Sequence, residues 1–183
     1  MPLLGKTKRL QGDNIELRRH VRDNYSLYAN WYGDPEIWYL TSWTAAPIGR
    51  NAVARLFDDR EKSASDESFA IHPKGNRDPV GIISLMNVSE ANASADLSVI
   101  LGPPEDREQG YGADAIRTIL DYGFGELELH RIALSVFEFN EPAIATYEKL
   151  GFKKEGRYRE AVMRDDEFHD AILMSLLSHE WRA

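Results

Sequence analysis

The chain has 183 residues, 43% of them hydrophobic, which predicts one globular domain spanning residues 1–183. A formal net charge of −8 repels phosphate backbones and anionic lipid, so we expect neither nucleic acid nor membrane as a partner. No cysteine is present, which excludes a disulfide framework and a cysteine nucleophile, and no apolar run of signal-peptide length opens the chain, so we expect a cytoplasmic protein.

The first third of the chain predicts one strand and two helices. Asp23 is a candidate cap for the first helix, which Gly33-Asp34-Pro35 would end. The aromatic segment from Trp38 to Pro47 shows no regular period and predicts irregular structure. The strand is expected at Asn14 to Arg18 and the second helix at Asn51 to Lys62.

From Ser68 onward the hydrophobic period shortens to two, which indicates strands. A meander of three strands is predicted at Phe69 to Ile71, Val80 to Val88 and Asp96 to Leu101. The later elements are helices at Ala113 to Phe124 and Pro142 to Leu150, a strand at Arg131 to Phe139, and a hairpin of Arg157 to Met163 with Ala171 to Leu177. A meander followed by strand–helix alternation predicts an α/β (α+β) fold with a partly parallel sheet.

A glycine-rich loop, Arg107-Glu-Gln-Gly-Tyr-Gly112, directly precedes the helix at Ala113. Glycines allow close backbone approach, and a helix N-terminus adds N–H donors and partial positive charge, so this loop favours phosphate. A Walker A loop would need a Gly-Lys-Ser/Thr ending, which is absent. Gly110, Gly112 and Ala115 satisfy a dinucleotide fingerprint, but that fingerprint should follow a strand directly. A tight strand-to-helix turn without a ligand is the remaining interpretation.

A second motif lies at Asn140 to Phe152, with Asn140 as candidate helix cap and Gly151 as the helix stop. Together with the glycine loop it resembles the GNAT superfamily of N-acetyltransferases. The family's acyl-CoA loop reads Arg/Gln-x-x-Gly-x-Gly/Ala, and its later signature reads Asn-x-x-Ala-x-x-x-Tyr-x-x-x-Gly-Phe. The segments Trp31 to Glu36 and Phe168 to Ala171 are similar to the RimJ/RimL and spermidine acetyltransferase branch of the family.

This resemblance implies an acetyl-CoA-dependent N-acetyltransferase, in which an amine attacks the thioester directly in a ternary complex. It implies a mostly antiparallel sheet of about seven strands, flanked by helices and with splayed central strands. The acceptor would be a small amine or polyamine, an antibiotic or a protein N-terminal amine. A homodimer is expected because members of the family are often dimers. A non-catalytic acyl-CoA-binding module and a nucleotide-binding protein are the alternative functions.

The resemblance also assigns residues to the site. It places the coenzyme against Val99, Ile100, Leu101, Arg107, Glu108, Gln109, Gly110, Tyr111, Gly112, Ala113, Asn140 and Tyr147. Tyr147 is the candidate general acid or a core aromatic, and Asp96 is a candidate base or a surface carboxylate. The aromatic side chains Trp31, Trp38, Tyr39 and Trp43 either line the acceptor pocket or pack the helices. His72, beside a proline turn, is interpreted as a loop residue. Neither His72 nor His130 has a partner at metal-ligand spacing, so we expect no metal.

Overall fold

The computed structural model describes residues 9–102 and 109–181. Its strands are β1 (Arg9–Gln11), β2 (Ile15–Arg18), β3 (Glu67–Pro73), β4 (Gly81–Ser89), β5 (Ser94–Leu101), β6 (Arg131–Phe137), β7 (Lys153–Arg164) and β8 (Glu167–Leu177). Its helices are α1 (Tyr25–Gly33), α2 (Pro35–Thr41), α3 (Arg50–Lys62), α4 (Tyr111–Gly125) and α5 (Glu141–Lys149), with a 3-10 turn at Arg22–Asn24.

Within the described residues, one sheet contains eight strands in the order β1-β2-β3-β4-β5-β6-β8-β7. The join between β5 and β6 is parallel, and the other joins are antiparallel. The mixed, mostly antiparallel sheet that we predicted is therefore confirmed, with eight strands in place of about seven. The missed strand is β1, whose three residues are too few to show a period of two and which forms only by pairing with β2.

Helices cover both faces of the sheet, because the central strands carry apolar side chains on both faces. Ile83 and Val99 contribute to a core beneath α4 and α5, whereas their neighbours Ile82 and Ile100 contribute to a second core beneath α1, α2 and α3. Since neighbouring residues of a strand point to opposite faces, α4 and α5 lie on one side of the sheet and α1 to α3 on the other.

Three local expectations from the sequence are wrong. Asp23 lies inside the 3-10 turn and makes no side-chain cap for α1. The segment from Trp38 is not irregular from its start, because α2 runs to Thr41 and is capped by Asp34, whose carboxylate accepts from the backbone N–H groups of Glu36 and Ile37. The histidine at position 72, interpreted as a loop residue, is buried within β3.

A buried polar chain crosses the face beneath α1. The His20 ring contacts the Tyr28 hydroxyl through Nδ1 (3.1 Å) and the Ser68 hydroxyl through Nε2 (2.9 Å), and Ser68 in turn contacts the Ser84 hydroxyl (2.7 Å). Burial lowers the pKa of His20 from 6.5 to about 3, so the ring stays neutral at pH values where an exposed histidine is charged.

This pKa makes the stability of the fold depend on acid. Between about pH 6 and 4 the unfolded chain binds a proton at His20 and the folded chain does not. As the pH is lowered through this range, His20 therefore decreases the free energy of unfolding by about 1.4 kcal/mol per pH unit. Replacing His20 by Asn should remove that slope while lowering stability at pH 7. Urea unfolding at a series of pH values measures it, with exposed His179→Asn as the control. Equal slopes in wild type and His20→Asn would contradict the assignment.

Candidate functional site

The parallel join between β5 and β6 is short and opens into a fork. Three residue pairs form it, ending at Asp96 opposite Ala133. Residues 97–101 of β5 and 134–137 of β6 continue without pairing to each other, although β5 remains paired to β4 and β6 to β8. The splayed central strands that we predicted are thereby confirmed. Val99, Ile100 and Leu101, assigned to the coenzyme from the sequence, lie half-buried on the open edge of β5.

The N-terminus of α4 lies beyond the open end of β5. Gly110 precedes the helix with φ of 79°, in the left-handed region that glycine adopts without strain. Gly112, in the first turn, approaches Leu101 closely, since a Cβ at this position would lie 2.9 Å from the leucine Cδ1. The backbone N–H groups of Tyr111, Gly112 and Ala113 begin the helix and have no preceding turn to accept them. Gln109 and Gly110 are exposed, whereas Arg107 and Glu108 lie outside the described residues.

A buried carboxylate that the sequence analysis missed fixes this helix tip. Asp114, in the first turn of α4, accepts from the backbone N–H groups of Asp13 (3.1 Å) and Asn14 (2.6 Å), and its side chain is buried. The contacts cross about a hundred residues of sequence, so only the folded hairpin of β1 and β2 brings the donors to it. An acidic residue in a helix's first turn was the available signal.

The second motif places its helix on the same face as α4. Asn140 follows β6 and caps α5 as predicted, accepting from the backbone N–H of Ala143 (3.4 Å), while its amide Nδ2 donates to the Leu40 carbonyl (3.2 Å). Tyr147 is 8% exposed, belongs to the core beneath α4 and α5, and packs against Phe152 at a ring distance of 5.7 Å. Burial raises the pKa of Tyr147 to about 12, so its phenol keeps the proton throughout the physiological range.

Helix α2 lies against both β5 and β6 on the opposite face from α4 and α5. The four aromatic residues that were expected either to line the acceptor pocket or to pack the helices lie in different environments. Trp31 is only 4% exposed and packs in the core, where a Cβ on Gly102 would touch its indole at 2.7 Å. Trp38 and Tyr39 are half-buried on α2, and Trp43 is 54% exposed with its ring 4.9 Å from Phe137 at the open end of β6.

Asp96 stands where the two strands separate, on the α2 side of the sheet. Its side chain is exposed and accepts from the Asn87 amide (3.0 Å). Arg131, on the same face of β6, is held by the carboxylate of Glu155, which also accepts from the Ser175 hydroxyl (2.6 Å). The Arg131 guanidinium lowers the pKa of Glu155 to about 2, because it donates to that carboxylate. A carboxylate and an ion pair therefore mark the narrow end of the fork.

The remaining chemical candidates are dispersed. His130 is exposed with Nδ1 3.4 Å from the Ser178 hydroxyl, and His72 contacts the Arg18 guanidinium far from the fork. Across residues 9–102 and 109–181, no three His, Asp or Glu side chains form a group that could hold a metal ion, and no helix is long and apolar enough to span a membrane. The absence of a metal stays a prediction.

Comparison with known proteins connects this geometry to a family. The family model described as acetyltransferase (GNAT) domain matches residues 14–153. The chain is 24% identical over 178 residues to spermidine N(1)-acetyltransferase of Escherichia coli K12, covering 97% of this chain and 88% of that protein. It is 35% identical over 101 residues to the putative ribosomal N-acetyltransferase YdaF of Bacillus subtilis, covering 55% of each.

The fold has known counterparts among solved structures. Spermidine N-acetyltransferase from Vibrio cholerae, solved in complex with CoA and spermine, superposes with a TM-score of 0.83 at 23% identity, covering 91% of this chain and 97% of that one. An acetyltransferase of the GNAT family from Bacillus anthracis gives a TM-score of 0.82 at 18% identity.

The two hydrogen bonds that the Asp114 carboxylate accepts lead to a prediction about stability. Asp114→Asn leaves one oxygen to accept but turns an amide NH₂ towards a backbone donor, so we expect a loss of about 1–3 kcal/mol in the free energy of unfolding. The matched control is Asp121→Asn on the same helix, which is exposed and retains an oxygen for the Trp181 indole N–H (2.8 Å). Denaturant unfolding compares the two variants. Equal free energies of unfolding would show that the hydrogen bonds of Asp114 contribute nothing to stability.

Proposed function

This chain belongs to the acetyltransferase (GNAT) domain family and is an N-acetyltransferase, and we propose that it transfers the acetyl group of acetyl-CoA to a primary amine by direct attack. The observation that carries the proposal is the fork between β5 and β6. The two strands stop pairing in the middle of the sheet, with α4 and α5 on one face and the aromatic helix α2 on the other. Two reactants can therefore meet there from opposite sides.

The coenzyme would enter on the face of α4 and α5. Along Val99 to Leu101, the backbone groups that point towards β6 have no ladder partner there, and an extended pantetheine arm carries amides that can satisfy them. The backbone N–H groups of Gly110 to Ala113 and the positive end of the α4 dipole would bind the pyrophosphate. In the family motif Arg107 and Glu108 complete this loop. A backbone N–H on β5 would also polarise the thioester oxygen.

The chemistry then needs an acid for the departing thiolate and a path for the amine proton. We assign the acid to Tyr147, because a phenol with a pKa of about 12 is fully protonated at neutral pH. We assign removal of the amine proton to Asp96, acting through a water molecule, because Asp96 is an exposed carboxylate on the α2 face where β5 and β6 separate. The amine would lose its proton through that water before it attacks.

The acceptor would be a primary amine that approaches on the α2 face. A polyamine is one candidate, because relatives that match nearly the whole chain are named spermidine acetyltransferases. A protein N-terminal amine is the second, because a relative is named a putative ribosomal N-acetyltransferase. The similarity of residues 31–36 to the RimJ/RimL and spermidine acetyltransferase branch agrees with either candidate.

Thiol release from acetyl-CoA tests the proposal directly. With a panel of spermidine, aminoglycosides and short Ala- or Ser-initiated peptides, at least one amine should release CoA at a rate above background. Tyr147→Phe should lower kcat by about 10²-fold and leave the KM for acetyl-CoA nearly unchanged, because general acid catalysis acts in the transition state. A melting shift with CoA and no turnover across the panel would instead support a non-catalytic acyl-CoA-binding module.

The helix tip gives an independent prediction for coenzyme binding. A Cβ at Gly110 would meet no described residue within 4 Å, but alanine is disfavoured in the left-handed conformation by about 1–2 kcal/mol. In Gly110→Ala the free loop relieves this strain by leaving the conformation that binds pyrophosphate, so the Kd for CoA should rise about tenfold. Gly125→Ala, at the other end of α4 and likewise with no described residue within 4 Å, should leave the Kd unchanged. Calorimetric titration with CoA measures both. Equal affinities would show that the pyrophosphate is held elsewhere.

A further inference from the structure

The α2 side of the fork changes in polarity from the apex, where β5 and β6 separate, towards the open end. The last pair of the parallel join is Asp96 opposite Ala133. Since side chains alternate between the two faces of a strand, the next residues on this face lie two positions further along each strand. They are Ser98 and Ser135, followed by Ile100 and Phe137. A carboxylate is therefore followed by a layer of two hydroxyls and then by an apolar layer.

The packing of neighbouring residues supports this assignment of faces. On β5, Val99 packs against the core beneath α4 and α5, whereas Ile100 packs against the core beneath α1 to α3. On β6, Val136 belongs to the core beneath α4 and α5, whereas the Phe137 ring contacts that of Trp43, which follows α2. The two serines precede Val99 and Val136 in their strands, so both hydroxyls lie on the α2 face.

Both serine hydroxyls are available to a ligand. Ser98 is half-buried and Ser135 is exposed, and neither hydroxyl has a hydrogen-bond partner among residues 9–102 and 109–181. Ser84 lies opposite Ser98 on β4, but its hydroxyl is bonded to that of Ser68 (2.7 Å). A serine hydroxyl offers one donor and two acceptor positions, which water or a bound ligand can use.

Helix α2 is held against the fork by a buried arginine. Arg164, 3% exposed at the end of β7, donates to the carbonyl oxygens of Trp38 (3.3 Å), Tyr39 (3.2 Å) and Ser42 (2.5 Å). These carbonyls lie at the C-terminal end of α2, where the helix itself provides no donor. The helix contacts both β5 and β6. The exposed carboxylate at the apex and the exposed hydroxyl on β6 nevertheless leave this face accessible to solvent.

The two hydroxyls match the hydrogen-bonding groups of an amine that is ready to attack. Such an amine has two N–H donors and one lone pair. When each N–H donates to a hydroxyl on a different strand, the carbon substituent and the lone pair lie in the plane midway between the strands. The carbon can then leave on the α2 face past the apolar layer, and the lone pair is directed towards the face on which the coenzyme is proposed to bind. Such orientation of the nucleophile favours reaction.

We propose that Ser98 and Ser135 form the binding site for the acceptor nitrogen, where each hydroxyl accepts a hydrogen bond from one N–H group of a primary amine. This inference rests on the proposed function. The ammonium form of the amine has a third proton, which is the one that Asp96 removes through water in the proposed mechanism. A primary amine then supplies both N–H groups, whereas a secondary amine supplies only one.

Threonine and valine at position 135 have the same shape and differ by one hydroxyl, so together they isolate the hydrogen bond. Ser135→Thr should keep kcat/KM for the amine close to that of wild type, whereas Ser135→Val should lower it about fivefold. Ser98→Ala should lower it by a similar factor. The acceptors are spermidine, an aminoglycoside and an Ala-initiated peptide. The factor should be the same for each one that wild type acetylates, because the serines contact the nitrogen alone.

The Kd for CoA, measured by calorimetric titration, should be unchanged in all three variants, because both hydroxyls lie on the face opposite α4 and α5. The matched control is Ser94→Ala, a half-buried serine on the same face of β5 that pairs with Arg131 before the strands separate. It should leave kcat/KM unchanged.

Equal kcat/KM in Ser135→Thr and Ser135→Val would overturn the proposal. A loss in Ser98→Ala that is matched by weaker CoA binding would overturn it as well, because that pattern indicates a structural role. If wild type binds CoA but releases no free thiol from acetyl-CoA with any amine, the proposed function itself fails.

Discussion

The structure depends on a pair of strands that join for three residues and then separate. Backbone N–H and C=O groups in the middle of a sheet are ordinarily satisfied by the next strand, and an unsatisfied group buried away from water is costly. Separating β5 from β6 leaves a row of such groups in the interior of an eight-stranded sheet. That arrangement is stable when water or an extended ligand with amide groups takes the place of the missing strand.

The two faces of the fork differ in charge because different parts of helices meet it. On one face two helices begin, and helix N-termini present N–H donors and partial positive charge. On the other face α2 ends, and its carbonyl groups present partial negative charge that Arg164 neutralises. An anionic diphosphate therefore suits the first face, and the second face offers an aromatic surface whose charge has already been balanced from within the chain.

The sequence was most informative where a motif acts locally. The glycines before α4 and the cap of α5 by Asn140 depend on neighbours within a few residues, so both could be predicted. Helix α2 had a readable signal as well, since Asp34 as cap and Pro35 in the first turn are typical of a helix start, but the pair was interpreted as a break. A short helix without a hydrophobic period gives no further cue.

The residues that hold the site together were beyond sequence reasoning for a different reason. Arg164 contacts carbonyl groups that lie 122 to 126 positions earlier in the chain, and a single arginine in a basic strand has no local feature that marks it as buried. The same is true of His20, whose neutrality follows from the burial of its ring and then from the nearby positive charges of Arg60 and Arg19. Long-range polar contacts of this kind require the fold first.

Access from two sides also bears on how the acetyl group moves. A mechanism that passes the group through the enzyme needs a nucleophile at the site, and the chain has no cysteine to supply a thioester. In the direct attack that we propose, the amine and the thioester are in place together where β5 and β6 separate, so no such intermediate is needed. In the mechanism that we propose, Tyr147 protonates the departing sulfur. A phenol that burial keeps protonated well above neutral pH is suited to that task and unsuited to act as a base.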